Sequence, residues 1–515
     1  MLKRELIKKI HNSFKNNKIL LTSLDSPFLD SQYVFPYLGI LYLAAVAVDV
    51  GMRVRYINTR QEIVDKHTLS EFDCLYTDEF NIENIEQYQD IDVIGISCMT
   101  PQGDQAYRIC RAIKEKYPNK IVMLGGPHAK YYLDECQKEG FDIIITGDGE
   151  RIFMDLLIGN IDSLFSKLLP QSTEDSLIFH DYLTKDEMNE FPIPYREKSY
   201  LDKYNYFLQG VKATTLVNSR GCPMGCAFCE DRRTQGRWFS PSHFEEEIQT
   251  IVENGINAIM IFDDLFTISP KKLQPYAEIL KKFHKKTSLI YRCFGHAKII
   301  TDYPEILDIL RESGCVEIGF GAESASQEIL NTVYKGNKVE EMHACVENTI
   351  RAGIRIKAFF MIGLPGETKE TFQETYTFIE KYRTQYPDSF DFDLAVFFPY
   401  KGTLIGDTVR LQEGEKAILH NQKIDHTFFK IRLKEGLSWK EVDSGSYGAY
   451  KKKGGESDVV IETYDWEKER LLLSADQINE LKERVMRLSK RYSDGKGNRI
   501  FSPKGEGNIG SIFLK

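Results

Sequence analysis

The stretch SRGCPMGCAFCE, residues 219–230, sets Cys222, Cys226 and Cys229 in a Cys-x-x-x-Cys-x-x-Cys array, with an aromatic, Phe228, directly before the last thiol. The apolar run ATTLVNS (213–219) leads into it and reads as a strand. A helical pattern follows: Phe244, Ile248, Ile251 and Val252 share a face, Ser242 and Glu245 form a capping-box pattern, and Gly255 is the stop. The thiols therefore occupy a loop between a strand and a helix. Five more strand-like runs come after it: AIMIFDD (258–264), SLIYRCFG (288–295), VEIGFGAES (316–324), IKAFFMIGLPG (356–366) and FDLAVFFPY (392–400). All but the last are followed by a helical pattern. Near-continuous apolar strands imply burial on both faces, so residues 211–404 are expected to form a partial (β/α)6 barrel of the TIM type, with its active residues at the carboxyl ends of the strands.

Upstream, residues 1–160 alternate in the same α/β manner. The strands KILLTSL (18–24), RVRYIN (53–58), DVIGIS (92–97), IVMLGG (121–126) and DIIITG (142–147) are interleaved with the helices LGILYLAAVAVDVG (38–51) and DQAYRICRAIKEKY (104–117). This pattern suits a doubly wound, Rossmann-like parallel sheet, whose ligands sit at the carboxyl ends of the strands. Ser97, Thr100, Gly125, Gly126 and the TGDGE turn (146–150) fall along that edge. Residues 161–210, with the Pro-punctuated FPIPYREKSY (191–200), read as a connector. Residues 405–515 read as a mixed cap or substrate region, with a polar loop DSGSYGAYKKKGGESD (443–458) and a final helix from Ser474 whose Ile478, Leu481, Val485 and Leu488 face one way. The aromatics Trp439, Tyr447, Tyr450 and Trp466 of this region are available either to line a pocket or to pack.

Composition narrows the function. A chain of 515 residues, 42% hydrophobic and 28% charged, has ordinary globular balance, and a formal net charge of -9 offers no general attraction for nucleic acid or an anionic membrane. No apolar run is long enough to span a bilayer, and the basic start is followed only by a short apolar run, so a cytoplasmic location is expected. Ten cysteines are too sparse for a disulfide framework. Seven of them, Cys74, Cys98 and Cys345 included, read as small buried hydrophobes.

Three clustered thiolates ask for a soft metal: zinc, copper(I) or an iron–sulfur cluster. A closed zinc site wants four ligands, and no second Cys-x-x-Cys exists, so zinc would need a distant ligand such as His243. A 4Fe-4S cluster held by three cysteines leaves one iron open, which makes the centre reactive. On these residues the chain resembles the radical S-adenosylmethionine superfamily. The resemblance implies that the open iron takes the amino and carboxylate groups of S-adenosylmethionine, which is then cleaved by one electron to methionine and a 5′-deoxyadenosyl radical. It also implies a set of cofactor contacts: Phe228 beside the thiols, Asp263 with its neighbour Asp264 at the methionyl amine, Arg292 at the methionyl carboxylate, Glu323 and Ser324 in FGAESASQ at the ribose, and Gly363 and Pro365 in IGLPGET at the adenine.

The order of a doubly wound domain, a connector and this barrel resembles the cobalamin-binding branch of that superfamily. PYLGILYLA (36–44), GISCMTP (95–101), GGPHA (125–129) and TGDGE carry the match, which runs from about residue 18 to residue 404. It implies that Ser97 and Thr100 face the corrin or its nucleotide tail, and that Gly125 and Gly126 let the tail lie against the backbone. The Asp-x-His-x-x-Gly signature for a lower axial histidine is missing after the first strand, where the chain reads SLDSPFLDSQYVFPYLG (23–39), so the lower face of cobalt is expected to be open or water-filled. His128 in GGPHA suits tail packing or a helix cap. The implied activity is cobalamin-dependent methyl transfer to an unactivated carbon or phosphorus of a small biosynthetic intermediate, with an electron donor such as flavodoxin or ferredoxin. The barrel mouth is expected to face the cobalamin across a domain interface. The same motifs serve radical cyclisation, rearrangement or oxidation without methyl transfer, and a zinc or cobalamin-binding module without turnover is a reading of another class. No side chain is singled out as a catalytic acid or base.

Overall fold

The computed structural model describes residues 2–14, 18–25, 34, 36–58, 73–411, 416–418, 428–433, 459–465 and 468–489. The polar loop 443–458 and the aromatics Trp439, Tyr447, Tyr450 and Trp466 lie outside the described residues. These residues form two compact units, one from segments within Met1–Pro27 and Phe35–Tyr204, the other from segments within Asn205–Trp439 and Gly448–Lys515.

The first unit is built on seven parallel strands: β1 Ile19–Thr22, β2 Arg53–Tyr56, β3 Asp73–Thr77, β4 Val93–Ser97, β5 Ile121–Gly125, β6 Ile143–Gly147 and β7 Leu177–Asp181, in the order β2-β3-β1-β4-β5-β6-β7. The central strands are buried, β4, β5 and β6 except at their carboxyl ends, as expected of a parallel sheet flanked by helices. Without the outer strands β2 and β7 the order is that of the flavodoxin-like doubly wound sheet, and the chain switches sides between β1 and β4, where such sheets open a crevice. Two strands were not expected. β3, sequence DCLYT, carries two polar ends that blur the apolar run, although all five residues are buried. β7 lies inside 161–210, the segment expected to be a connector. Its Pro-rich part is local, and the short run LIFHD pairs with β6 from Leu177 opposite Ile143 onwards. The segment as a whole belongs to the first unit up to Tyr204.

The second unit opens with the short β8 Phe207–Leu208, antiparallel to β9 Val211–Leu216. After β9 come the paired stubs β10 Ser219–Arg220 and β11 Arg237–Trp238, then β12 Ala258–Ile261, β13 Ile290–Gly295, β14 Cys315–Glu323, β15 Arg355–Ile362 and β16 Phe390–Val396. The sheet runs β16-β15-β14-β13-β12-β9-β8, and the six expected barrel strands are all present and parallel. An antiparallel sheet of β17 Lys416–Ile418, β18 Phe428–Leu433, β19 Val459–Asp465 and β20 Arg470–Leu473 follows, and helix Ala475–Ser489 packs on β16.

Inside the amino-terminal half of the barrel strands, charges replace the expected apolar filling. Arg292 on β13 pairs with Glu317 on β14 at 3.1 Å, Arg355 on β15 reaches the same carboxylate at 3.5 Å, and Lys357 lies 2.9 Å from Asp393 and 3.7 Å from Asp391 on β16. Burial works against the Lys357 ammonium, but the two aspartates hold its pKa above the ordinary value. At the other end of β15, the turn Gly363–Glu367 is closed by its own last residue. The Glu367 carboxyl accepts the Gly363 N–H at 2.6 Å, and Thr463 on β19 donates its hydroxyl to the Glu367 carbonyl at 2.5 Å. Glu367 is fully buried, and burial pushes its pKa up to about 8 in spite of the N–H groups it accepts.

Two outcomes follow for the second unit, in which Trp238 of β11 is a described tryptophan. Lys357→Met removes the ammonium from two buried carboxylates, and urea unfolding followed by tryptophan fluorescence should show a loss of about 3–5 kcal/mol. Because the folded state holds the Glu367 proton more tightly than the unfolded chain, stability should fall as pH rises from about 5 through about 8, by roughly 1.4 kcal/mol per pH unit within that window. Asp263, whose folded-state pKa is also raised, adds to the fall below about 7, so Glu367→Gln should lessen the slope by the Glu367 share, and an unchanged slope would assign the pH dependence elsewhere.

Candidate active site

The cysteine loop is a hairpin closed at its base. Ser219 pairs with Trp238 and Arg220 with Arg237, so residues 221–236 project as one loop from the carboxyl end of β9. Gly221 takes φ +92, and a Cβ there would stand 2.8 Å from the Gln235 carbonyl. Only glycine fits this entry to the loop. Cys222 donates its N–H to Thr234 Oγ1 at 2.8 Å, Arg233 N–H reaches the Met224 carbonyl at 2.7 Å, and Arg232 Nε reaches the Gly225 carbonyl at 2.9 Å. From outside, Ala227 donates to the Val333 carbonyl at 2.9 Å and accepts from Ile405 N–H at 3.1 Å. The helix after the loop is Pro241–Glu253, capped by Ser240. The expected cap at Ser242 is therefore displaced by two residues, because Pro241 fits the first helical position and Ser240 accepts the His243 N–H. His243 is buried and stacked on Phe239 with ring centres 4.2 Å apart.

All ten cysteines are free thiols. Cys226 is buried and lies within electrostatic reach of both Cys222 and Cys229. Burial raises all three thiol pKa values, Cys222 to about 11, so metal binding there would be coupled to thiol deprotonation. Among the described residues no three His, Cys, Asp or Glu side chains are arranged to hold a single ion. The donor set, three soft thiols on one pinned loop, fits an incompletely ligated iron–sulfur cluster.

The strand ends around the loop show where the expected contacts lie. Asp263, at the end of β12, is buried and accepts the Asn218 N–H at 2.6 Å and the Ser219 hydroxyl at 2.7 Å, so it latches the base of the cysteine loop instead of facing outward. Its pKa is pushed up to about 7 by burial. Its exposed neighbour Asp264 accepts the Gly221 N–H at 3.1 Å and acts electrostatically on Cys222 and Cys229, which makes Asp264 the better placed carboxylate. Arg292 is 1% exposed and bound to Glu317 in the barrel interior, because its place early in β13 sets it well below the strand end. Ser324 is also committed, to Thr375 at 3.2 Å and to the Ser326 N–H at 3.1 Å.

Two of the remaining expected contacts, Phe228 and Glu323, meet at one lysine near Cys226. Phe228 lies under Lys335, whose Nζ is 5.8 Å from the ring centre, and Glu323 pairs with the same Nζ at 2.9 Å. Gly363 and Pro365 sit in the turn locked by Glu367, Gly363 at φ +84. Lys335 and His296 were not anticipated from the sequence. His296 follows β13 directly, and its position just past a barrel strand was the available signal. It is 6% exposed beside Lys335, and burial together with that ammonium lowers its pKa to about 3, so the ring is neutral.

In the first unit, Ser97 and Gly125 are register partners at the ends of β4 and β5, and Thr100 opens the short helix after β4. A Cβ on Gly125 would meet nothing within 4 Å, which leaves the edge open to a closely approaching ligand. Gly126 has a structural reason of its own: at φ +95 its Cβ would stand 2.6 Å from the Cys98 carbonyl. The same holds for the TGDGE turn, where a Cβ on Gly147 would lie 2.1 Å from the Asp181 carbonyl of β7. His128 is fully buried, with Nε2 2.8 Å from the Tyr107 hydroxyl, and thus serves packing. An open, hydroxyl-lined edge beside the β1/β4 switch fits a cobalamin tail.

Residues 217–379 match the family model of the radical SAM superfamily, and residues 28–157 match that of the B12 binding domain. An uncharacterized methyltransferase of Pyrococcus horikoshii is 27% identical over 384 residues, 72% of this chain and 77% of its own. An anaerobic magnesium-protoporphyrin IX monomethyl ester cyclase of Rubrivivax gelatinosus is 24% identical over 349 residues, 63% of this chain and 60% of its own. Among solved structures, the radical S-adenosylmethionine methyltransferase TsrM of Kitasatospora setae, bound to tryptophan and a SAM analogue, superposes with a TM-score of 0.61 at 14% identity, covering 95% of this chain and 91% of its own. With two matched domains in this order and a fold that follows them, the chain is a radical SAM enzyme of the cobalamin-binding branch, with 4Fe-4S, S-adenosylmethionine and cobalamin as its cofactors.

Proposed function

We propose that the protein transfers a methyl group to an unactivated carbon or phosphorus of a small biosynthetic intermediate, with cobalamin as the methyl carrier and a flavodoxin or ferredoxin as the electron donor. The observation that carries the proposal is the presence of both parts in one chain: the three-thiol loop at the mouth of the barrel, and an open-edged doubly wound sheet that matches a B12 binding domain. When bound, the cluster supplies the electron that cleaves S-adenosylmethionine and cobalamin supplies the methyl group. The protein supplies placement. Cys222, Cys226 and Cys229 would hold the cluster, Asp264 would face the methionyl amine, and the turn Gly363–Glu367 would offer backbone to the adenine. Ser97 and Thr100 would face the corrin or its nucleotide tail, and Gly125 would let the tail lie against the backbone. Among the described residues no helix is long and apolar enough to cross a membrane.

Radical ring closure without methyl transfer is the second reading, favoured by the likeness to the magnesium-protoporphyrin cyclase. Anaerobically reconstituted protein, given hydroxocobalamin, a low-potential reductant and S-adenosylmethionine labelled in its methyl group, distinguishes the two. Methyl transfer predicts label on the protein-bound cobalamin. Deoxyadenosine that accumulates while the label stays in methionine favours ring closure. Cys226→Ala should lower deoxyadenosine formation by more than about a hundredfold and leave cobalamin uptake by the first unit intact.

A further inference from the structure

Lys335 is a buried cation held in place by three separate features. Its segment lies against the cysteine loop through the bond from Ala227 N–H, between Cys226 and Phe228, to the Val333 carbonyl. Its Nζ pairs with Glu323, which stands at φ +62 where the register between β14 and β15 shifts, a conformation that costs a residue with a side chain about 1 kcal/mol or more. Gly321 provides the room, since a Cβ there would lie 2.2 Å from Glu323 Oε1 and 2.6 Å from Lys335 Nζ. A buried ion pair built on a strained backbone adds little to stability. What this pair does place is a positive charge next to two metal-binding thiols. Burial works against the ammonium, and the Glu323 carboxylate 2.9 Å away holds it in place as a cation.

We propose that Lys335, fixed by Glu323, is a positioning residue that sets the reduction potential of the cluster held by Cys222, Cys226 and Cys229. The inference rests on the cluster reading above. One electron passes from a low-potential donor to the cluster, no bond is made or broken, and the ammonium keeps its proton. Reduction adds one negative charge beside the ammonium, so the fixed cation favours the reduced form and brings it within reach of a flavodoxin or ferredoxin. The partner carboxylate tempers the effect.

The test is a redox titration of the anaerobically reconstituted full chain, followed by electron paramagnetic resonance of the reduced cluster, with dithionite as reductant and iron content measured on each sample. Lys335→Met should make reduction roughly tenfold less favourable, a negative shift of about 59 mV for a one-electron couple. Lys335→Arg keeps the charge and should retain most of the wild-type potential. Glu323→Gln leaves the cation less offset and should shift the potential in the positive direction. Opposite signs at the two members of one ion pair are not expected from general damage to the loop. An unchanged potential in an iron-replete Lys335→Met protein, or equal shifts in the Met and Arg variants, would overturn the proposal. If Lys335→Met takes up no iron, Glu323→Gln decides: an unchanged or more negative potential overturns it. Wild-type protein that assembles no cluster refutes the cluster reading instead.

Discussion

The cysteine loop has to be held open and still at the mouth of a parallel barrel, and much of the second unit serves that constraint. Three thiols leave one corner of a four-iron cluster without a protein ligand, so the protein must position the cluster with fewer bonds than a closed metal site would provide. It compensates through the backbone of the loop. Asp263 ties down the entry, the β10/β11 pair closes the base, Ala227 is bound on both its N–H and its carbonyl, and the side chains of Arg232 and Thr234 satisfy polar groups along the way. None of these groups is a metal ligand. Together they fix the backbone of the loop through bonds that make no use of the thiols.

The barrel beneath divides into two zones along the strands. Toward the amino-terminal ends, Arg292, Glu317, Arg355, Lys357, Asp391 and Asp393 neutralise one another in the interior. Toward the carboxyl ends, Glu323, Lys335 and Asp264 lie by the loop with neutral His296 beside Lys335, and the Gly363–Glu367 turn follows β15 at the same end of the sheet. Compensated charge low in the barrel, with Lys335 and Arg232 as cations near Cys226, leaves the local field at the mouth to a few named groups. That arrangement suits chemistry in which charge moves by one electron at a time.

The sequence displayed the barrel because its strands are apolar on both faces, and it displayed the thiol loop because ligand spacing is a local property. It was less informative where a residue's role depends on depth along a strand. Arg292 and Asp263 lie in the right strands but sit too deep or turn the wrong way to meet a cofactor, and a one-residue step from Asp263 to Asp264 reverses the side on which a carboxylate lies. The edge strand β7 is short, pairing with β6 on one side and only through a single bridge from Phe179 to Leu168 on the other, so 161–210 read as a connector. Lys335 could not be found from spacing: its meaning comes from Cys226 and Glu323, which only the fold brings to it. Glycines were ambiguous for a similar reason. Gly125 faces open space as a ligand edge should, whereas Gly126 and Gly147 are required by the neighbouring backbone whether or not anything binds.

The central claim is an iron cube held by three cysteines with one corner free. Iron, acid-labile sulfide and zinc measured on strictly anaerobic, reconstituted protein test it most directly. The account predicts about four iron and four sulfide per chain, with zinc near zero. Stoichiometric zinc, or iron well short of a cluster in protein whose cysteine loop is intact, would contradict it.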